Sequence, residues 1–126
     1  MDAYINHFKA LSDRTRLRIM KAVLNAGKEL CICEIMDTLK LAQYNVSRHI
    51  KELKNAGLVG ERKEGRFVFY RLLPAETNFH KQLLKILETV SDPVLDDDKE
   101  RLRKRLSLRE NDRCVIGMKK CGKRGN

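Results

Sequence analysis

The chain has 126 residues, of which 42% are hydrophobic and 35% charged, and its formal net charge is +10. This length fits one small domain, and the lack of any run of about 18 apolar residues excludes a membrane-spanning helix. Asp2 follows Met1 where a secretory leader would be basic and then apolar, so we expect a cytoplasmic protein. In that compartment we expect its four cysteines to bind metal, act as redox thiols or pack as buried apolar residues rather than form structural disulfides.

Hydrophobic spacing predicts four helices in the first part of the chain. Apolar residues recur at helical intervals over residues 3–26, and Ser12 and Asp13 divide this stretch as capping residues. Gly27 ends the second helix. A short helix over residues 29–39, a turn at Leu41 and Ala42, and a helix over residues 43–56 follow.

The second part of the chain predicts a hairpin and two further helices. Residues 58–72 form a β-hairpin with Gly65 in its turn and alternating apolar residues on its return strand. Residues 77–90 form an amphipathic helix that Pro93 breaks, and residues 96–108 form a last helix with an acidic start and a basic end. After Glu110 the composition indicates a loose tail, and residues 101–126 carry ten basic and two acidic side chains.

The helix over residues 43–56 has an apolar face for packing and a polar, basic outer face. After a short helix and turn, such a helix is typical of a helix-turn-helix, which reads base edges in the major groove. The basic hairpin resembles a wing that reaches phosphates or the minor groove. A solvated surface helix or a winged helix that contacts only protein is the alternative. The candidate DNA-binding residues are Gln43, Tyr44, Asn45, Ser47, Arg48, His49, Lys51, Arg62, Lys63 and Arg66.

Four segments resemble the ArsR/SmtB family of winged-helix repressors in order and spacing. They are LSDRTRLRIM (11–20), ELCICEI (29–35), VSRHIKELKNAGLV (46–59) and EGRFVFYRL (64–72). The resemblance implies a mainly α, winged helix-turn-helix fold with a β-hairpin, and a homodimer whose first and last core helices form the interface. It also implies a repressor that leaves double-stranded operator DNA when a toxic metal or metalloid binds. Residues 1–92 would form the DNA-binding and dimerisation domain, and residues 93–126 a C-terminal helix and a basic tail with two cysteines.

ELCICEI resembles the motif ELCVCDL of the arsenite-sensing and cadmium/lead-sensing branches of this family. The resemblance implies that Cys31 and Cys33 bind a soft ion such as As(III), Sb(III), Cd or Pb, and that the protein has no resident cofactor. The arsenite branch has a third cysteine where this chain has Met36, and the cadmium/lead branch uses an N-terminal extension that this chain lacks. Cys114 and Cys121 are therefore candidates for the third ligand.

The mechanism predicted from this motif is a distortion of the helix over residues 29–39. In a regular helix Cys31 and Cys33 lie about 200° apart, so binding both to one ion strains the first turn beside the reading helix. A redox-responsive regulator of the same fold is the alternative. We expect no enzyme, because the sequence has no Gly-rich phosphate loop and no Cys-x-x-Cys. A zinc site on the helix over residues 77–90 is not expected, because this helix offers His80 and Glu88 without a paired histidine three or four residues further on. His7, His49 and His80 also do not cluster by spacing.

Overall fold

The computed structural model describes residues 1–115, which form six helices and three strands. The helices and strands follow one another as α1 (Asp2–Leu11), α2 (Arg14–Ala26), β1 (Leu30–Cys31), α3 (Ile32–Leu39), α4 (Gln43–Asn55), β2 (Val59–Glu64), β3 (Phe67–Leu72), α5 (Asn78–Thr89) and α6 (Pro93–Leu106). The predicted mainly α fold with a β-hairpin, a winged helix-turn-helix, is confirmed. Within residues 1–115, no helix has both the length and the apolar character needed to cross a membrane.

Side-chain caps set the start of several helices. The carboxylate of Asp13 accepts a hydrogen bond from the backbone N–H of Arg16 at 3.0 Å, which fixes the start of α2. Gly27 ends α2 in the left-handed region at φ 65°. Pro93 does more than break the preceding helix. It occupies the first turn of α6 behind the capping residue Asp92, so α6 begins at Pro93 and not at residue 96 as the sequence suggested.

The structure corrects the predicted start of the first helix of the helix-turn-helix. Leu30 and Cys31 form a short strand, β1, that pairs antiparallel with Tyr70 and Phe69 of β3. Cys31 is therefore the extended N-cap residue of α3, with φ −78° and ψ 158°, and the helix begins at Ile32. The sequence did not reveal β1 because its backbone partners lie some 40 residues away. The assumption that Cys31 and Cys33 both belong to a regular helix is wrong.

The three-stranded sheet has the order β1-β3-β2, with the hairpin register running from Val59 opposite Leu72 to Glu64 opposite Phe67. The helices α2, α3 and α4 enclose a core with the inner side of this sheet. Its fully buried side chains include Ile19, Met20, Leu30, Ile35, Leu39, Val46, Ile50, Leu53 and Leu58. Each aliphatic side chain of this size contributes about 1.5–3 kcal/mol by its removal from water.

The C-terminal helix α6 packs on α2 and α3 through ion pairs as well as through Leu95 and Leu102. The Asp98 carboxylate accepts hydrogen bonds from Arg18 and from Arg101, each at 2.7 Å. After α6 the chain turns at residues 110–113 and brings Cys114 into the protein interior. Residues 110–115 therefore do not form the loose tail expected after Glu110, and residues 116–126 lie outside the described part of the chain.

Candidate nucleic-acid interface and thiol centre

The outer face of α4 carries the polar side chains predicted to read DNA. Tyr44 is 75% exposed, and the guanidinium of Arg48 lies over its ring at 5.8 Å from the centroid. Lys51 is exposed one turn further on, while Gln43, Asn45 and Ser47 are half-buried along the edges of this face. On the inner face, Val46, Ile50 and Leu53 are buried. The helix therefore offers hydrogen-bond donors and acceptors to solvent and is fixed to the body by its apolar side.

His49 is directed toward the start of α2. Its Nδ1 atom lies 3.4 Å from Nη1 of Arg16 and 3.6 Å from the Asp13 carboxylate. The Arg16 guanidinium also donates to the backbone carbonyls of Lys9 and Ala10. His49 thus connects the reading helix to the junction between α1 and α2, which fits a packing role better than contact with bases.

The basic residues of the wing differ in whether they are exposed or held by an ion pair. Lys63 and Arg66 are exposed near the hairpin tip. Arg62 donates to both carboxylate oxygens of Glu29, at 2.9–3.1 Å, and its guanidinium lies 4.6 Å from the centroid of the Phe69 ring. The hydrogen bonds from Arg62 lower the pKa of Glu29. Arg62 therefore fastens the wing to the loop before β1 in the unbound protein.

Two of the four cysteines meet in the interior. The Sγ atoms of Cys31 and Cys114 are 3.0 Å apart, although 83 residues separate them in sequence. Cys31 is fully buried and Cys114 is 5% exposed. The hydrogen bond with Cys114 raises the pKa of the Cys31 thiol, and burial and the Glu34 carboxylate raise it further. Cys31 is therefore a neutral thiol at physiological pH.

A carboxylate completes this cluster. Ligand atoms of Cys31, Glu34 and Cys114 all lie within 4.8 Å of one another, and within residues 1–115 no other group of three or more His, Cys, Asp or Glu residues is so placed. The backbone N–H of Cys31 donates to Glu34 Oε1 at 2.9 Å, so Glu34 also caps α3. Two thiols and a carboxylate are a donor set suited to a thiophilic or borderline ion.

Two arginines from the C-terminal segment adjoin the cluster. Arg109 donates from Nε and Nη2 to the two carboxylate oxygens of Glu34, each at 2.6 Å, in a pair that is almost wholly buried. Arg105 donates to Asp37 at 2.8 Å, and its Nη2 atom lies 3.8 Å from Sγ of Cys114. The hydrogen bonds to Glu34 raise the pKa of Arg109, so it stays charged. The cluster therefore has fixed positive charge beside it.

The remaining predicted metal ligands are placed as follows. Cys33 lies in the first turn of α3, is 2% exposed and is disulfide-bonded. Met36, one turn later, is also 2% exposed. Cys121 lies outside the described residues. A cleft of about 320 Å³ beside the cluster is lined by Cys114 with Glu29, Arg62 and Arg109. This cleft gives a small solute access to the edge of the thiol pair.

Sequence reasoning missed Glu34 and Arg109 as members of this site. The residues Cys31 and Glu34 have the spacing of a capping box, and this was the available signal for Glu34. Arg109 gave no signal, because it belongs to a run of basic residues that looks like a solvated tail. The histidines are a second correction: the rings of His7 and His80 lie 5.3 Å apart, centroid to centroid, although their sequence spacing suggested no cluster.

The fold and its surface define a winged-helix DNA-binding protein, and comparison with known proteins identifies its family. The family model described as bacterial regulatory protein, arsR family, matches residues 13–61. The arsenic resistance transcriptional regulator ArsR2 of Pseudomonas putida is 35% identical over 96 residues, which cover 76% of this chain and 83% of that protein. The chain belongs to the ArsR family of transcriptional regulators.

Two further comparisons support the same assignment. The arsenical resistance operon repressor of Escherichia coli is 43% identical over 70 residues, which cover 56% of this chain and 59% of that protein. The solved structure of HlyU from Vibrio cholerae superimposes with a TM-score of 0.60 at 31% identity and covers 69% of this chain and 89% of HlyU. The predicted resemblance to the ArsR/SmtB family is therefore confirmed.

Proposed function

We propose that this protein is a transcriptional repressor that releases operator DNA when a soft metal ion or metalloid binds to Cys31 and Cys114 and, once its disulfide is reduced, to Cys33. The observation that carries the proposal is the 3.0 Å contact between Cys31, at the N-cap of α3, and Cys114. Two of the relatives named above, from Pseudomonas putida and Escherichia coli, are called regulators of arsenic resistance. A cadmium resistance transcriptional regulatory protein CadC homolog of Staphylococcus aureus is 43% identical over 65 residues.

The position of Cys31 suggests how ligand binding reaches the DNA surface. Cys31 and Glu34 together cap α3, and α3 packs directly on the reading helix α4. Drawing the Cys31 sulfur onto an ion shared with Cys33 and Cys114 changes the backbone that precedes α3 and loosens this cap. A tilt of α3 displaces α4, which carries the exposed side chains of Arg48 and Tyr44.

Arsenite is the inducer that we favour. Arsenous acid, As(OH)₃, exchanges each hydroxide for a thiolate and releases water, so three thiols give As(SR)₃ and three waters with no change in charge. This exchange suits a buried, protonated thiol such as Cys31, because no net charge is created in the interior. A divalent ion such as cadmium would instead expel the thiol protons to solvent.

A redox regulator of the same fold is the second candidate, because Cys33 is disulfide-bonded, but the properties of the Cys31 thiol do not favour it. Reactive cysteines are generally exposed and have a lowered pKa, whereas Cys31 is fully buried and its pKa is raised. For the same reason we expect no thiol-dependent catalysis.

We also propose that the repressor acts as a homodimer in the cytoplasm. Tyr4, Ile5 and Phe8 of α1 and Ile86 of α5 are each 42–59% exposed. Apolar side chains of this size on two neighbouring helices suit a second copy of the chain, as expected for the family. Comparing the sedimentation of wild type with that of the Phe8→Ser and Ile86→Ser variants tests whether these side chains form a dimer interface.

The proposal is tested by DNA release in the reduced protein. A duplex selected from random-sequence DNA by the unliganded protein serves as the operator probe, and binding is followed by fluorescence anisotropy with and without arsenite or cadmium. We expect release from wild type, and none from Cys31→Ser or Cys114→Ser. Cys121→Ser reports whether the far tail adds a ligand. If every ion leaves binding unchanged, the metal-responsive part of the proposal is wrong.

Two further measurements separate the components of the proposal. A pH indicator in weakly buffered solution distinguishes the inducers, because arsenite binding should release no protons and cadmium binding should release one for each thiol ligated. Arg48→Ala should weaken binding to the selected duplex by about 1–3 kcal/mol, whereas binding that survives this change unaltered would argue against α4 as the reading helix.

A further inference from the structure

The C-terminal helix α6 borders the turn of the helix-turn-helix. A cleft of about 960 Å³ lies between the second half of α6 and the segment that joins α3 to α4. Lys40 of this segment, Gln43 at the start of α4, and Arg101 and Lys104 of α6 are among its lining residues. Side chains from the C-terminal helix and from the DNA-reading unit therefore share one open surface.

The charged side chains on this surface differ in whether they form ion pairs. Arg101 donates to Asp98 and to the backbone carbonyl of Thr38, and Arg105 is paired with Asp37. Lys40 and Lys104 are both exposed, and within residues 1–115 neither ammonium group has a carboxylate within 4.0 Å. The cleft thus presents two exposed lysines that form no ion pair within residues 1–115, next to the first residue of the reading helix. Asp37, which is paired with Arg105, also lines it.

We propose that Lys40 and Lys104 bind phosphates of the DNA backbone, so that α6 extends the DNA-binding surface beyond the helix-turn-helix and the wing. In a helix-turn-helix complex the second helix directs its first residues at base edges while the first helix crosses the sugar-phosphate backbone. Groups beside the turn between the two helices therefore stand next to phosphates. The inference rests on the proposed DNA binding through α4.

This placement provides a second way in which ligand binding at the thiol cluster changes the contacts with DNA. The helix that carries Lys104 also carries Arg105, whose guanidinium approaches Cys114, and it leads directly into the segment that holds Cys114. A ligand that moves Cys114 acts on the end of α6. Loss of the Lys104 contact then adds to the effect transmitted through α3.

The test measures binding to a fluorescein-labelled duplex of arbitrary sequence over a series of salt concentrations. Each phosphate contact adds about 0.9 to the slope of log K against log salt, which corresponds to about fivefold in affinity at about 0.15 M salt. We expect Lys104→Gln and Lys40→Gln each to weaken binding by about this factor, and to reduce the slope by about 0.9, for every subunit that contacts the DNA.

Lys99→Gln is the matched control, because it removes one positive charge from the exposed surface of α6 beside the end of α2, at a separate cleft. Its slope should equal that of wild type. If Lys104→Gln and Lys99→Gln have the same affinity and slope, the inference is wrong. Arg48→Ala separates the two proposals: if it weakens binding to the selected duplex and the lysine variants do not alter the slope, only the role of α6 fails.

Discussion

Arg109 holds both carboxylate oxygens of Glu34 at 2.6 Å across 75 residues of sequence. The Glu34 side chain is fully buried and that of Arg109 is 7% exposed. Because Glu34 also accepts the backbone N–H of Cys31, this pair joins the segment after α6 to the cap of α3. The C-terminal segment is thus tied to the structural unit that positions the reading helix.

Removal of Arg109 should strongly destabilise the protein. Arg109→Met leaves the Glu34 carboxylate buried without its cation, and breaking a buried pair in this way costs about 3–5 kcal/mol. Urea denaturation followed by circular dichroism measures the loss. The double variant Glu34→Gln/Arg109→Met should recover part of the loss, because no unpaired charge stays buried.

The control for this prediction is Arg103→Met, which breaks an exposed pair with Glu100 on α6. Exposed ion pairs contribute little, so its urea midpoint should match that of wild type. Equal effects of Arg103→Met and Arg109→Met would show that the buried pair has no special role.

Asp13 should contribute to acid stability through its cap on α2. The hydrogen bond from the Arg16 backbone N–H lowers the pKa of Asp13, so the unfolded chain binds the proton more tightly. The contribution is complete above the unfolded pKa of about 3.9 and is lost as the pH falls through the lower folded value. Asp13→Ala should cost about 1 kcal/mol at neutral pH.

Asp13→Asn separates the cap from its titration, because asparagine caps about as well as aspartate and has no acidic proton. This variant should keep near-wild-type stability at neutral pH and lose less below about pH 4. Thermal unfolding of the three proteins at several pH values makes the comparison. Identical acid profiles for wild type and Asp13→Asn would contradict the assignment.

Release of Arg62 from Glu29 should strengthen DNA binding. In the unbound protein Glu29 holds the Arg62 guanidinium in a bidentate pair at the base of the wing. Glu29→Gln removes a negative charge and one of the two carboxylates that hold Arg62, since Glu64 also accepts a hydrogen bond from the Arg62 guanidinium. We expect at most about fivefold tighter binding at about 0.15 M salt. Anisotropy with the selected duplex measures the change. Combining Glu29→Gln with Arg62→Gln should abolish the gain, and a gain that persists would mean that Arg62 does not contact DNA.

His80 should make stability fall at mildly acidic pH. Burial lowers the pKa of His80, and the neighbouring His7 lowers it further. The unfolded chain therefore binds the proton more readily below about pH 6.5, so stability is full above this pH and declines as the pH falls toward the folded value. His80→Leu should flatten the profile between about pH 6.5 and 5 in urea titrations. An unchanged profile would place the dependence on another group.

Much of the sequence-based prediction rested on interactions between residues that are close together in the chain. The alternation of apolar residues, the cap at Asp13 and the left-handed Gly27 concern neighbours along the chain, so the helices and the hairpin were predicted nearly in place. The basic outer face of α4 followed from helical geometry alone. The family motifs in the same segments identified the fold and singled out Cys31 as a candidate ligand.

Long-range contacts decided what the sequence left open. Strand β1 exists because Leu30 and Cys31 find backbone partners in β3, and this pairing makes Cys31 an N-cap residue instead of a helical one. The sequence offered Cys114 as one of two candidates, and only the packing of α6 brought its sulfur to Cys31. The burial of Glu34 with Arg109 depends on the same packing. Composition and periodicity report a residue's own surroundings along the chain, whereas a binding site depends on which distant segments fold against it.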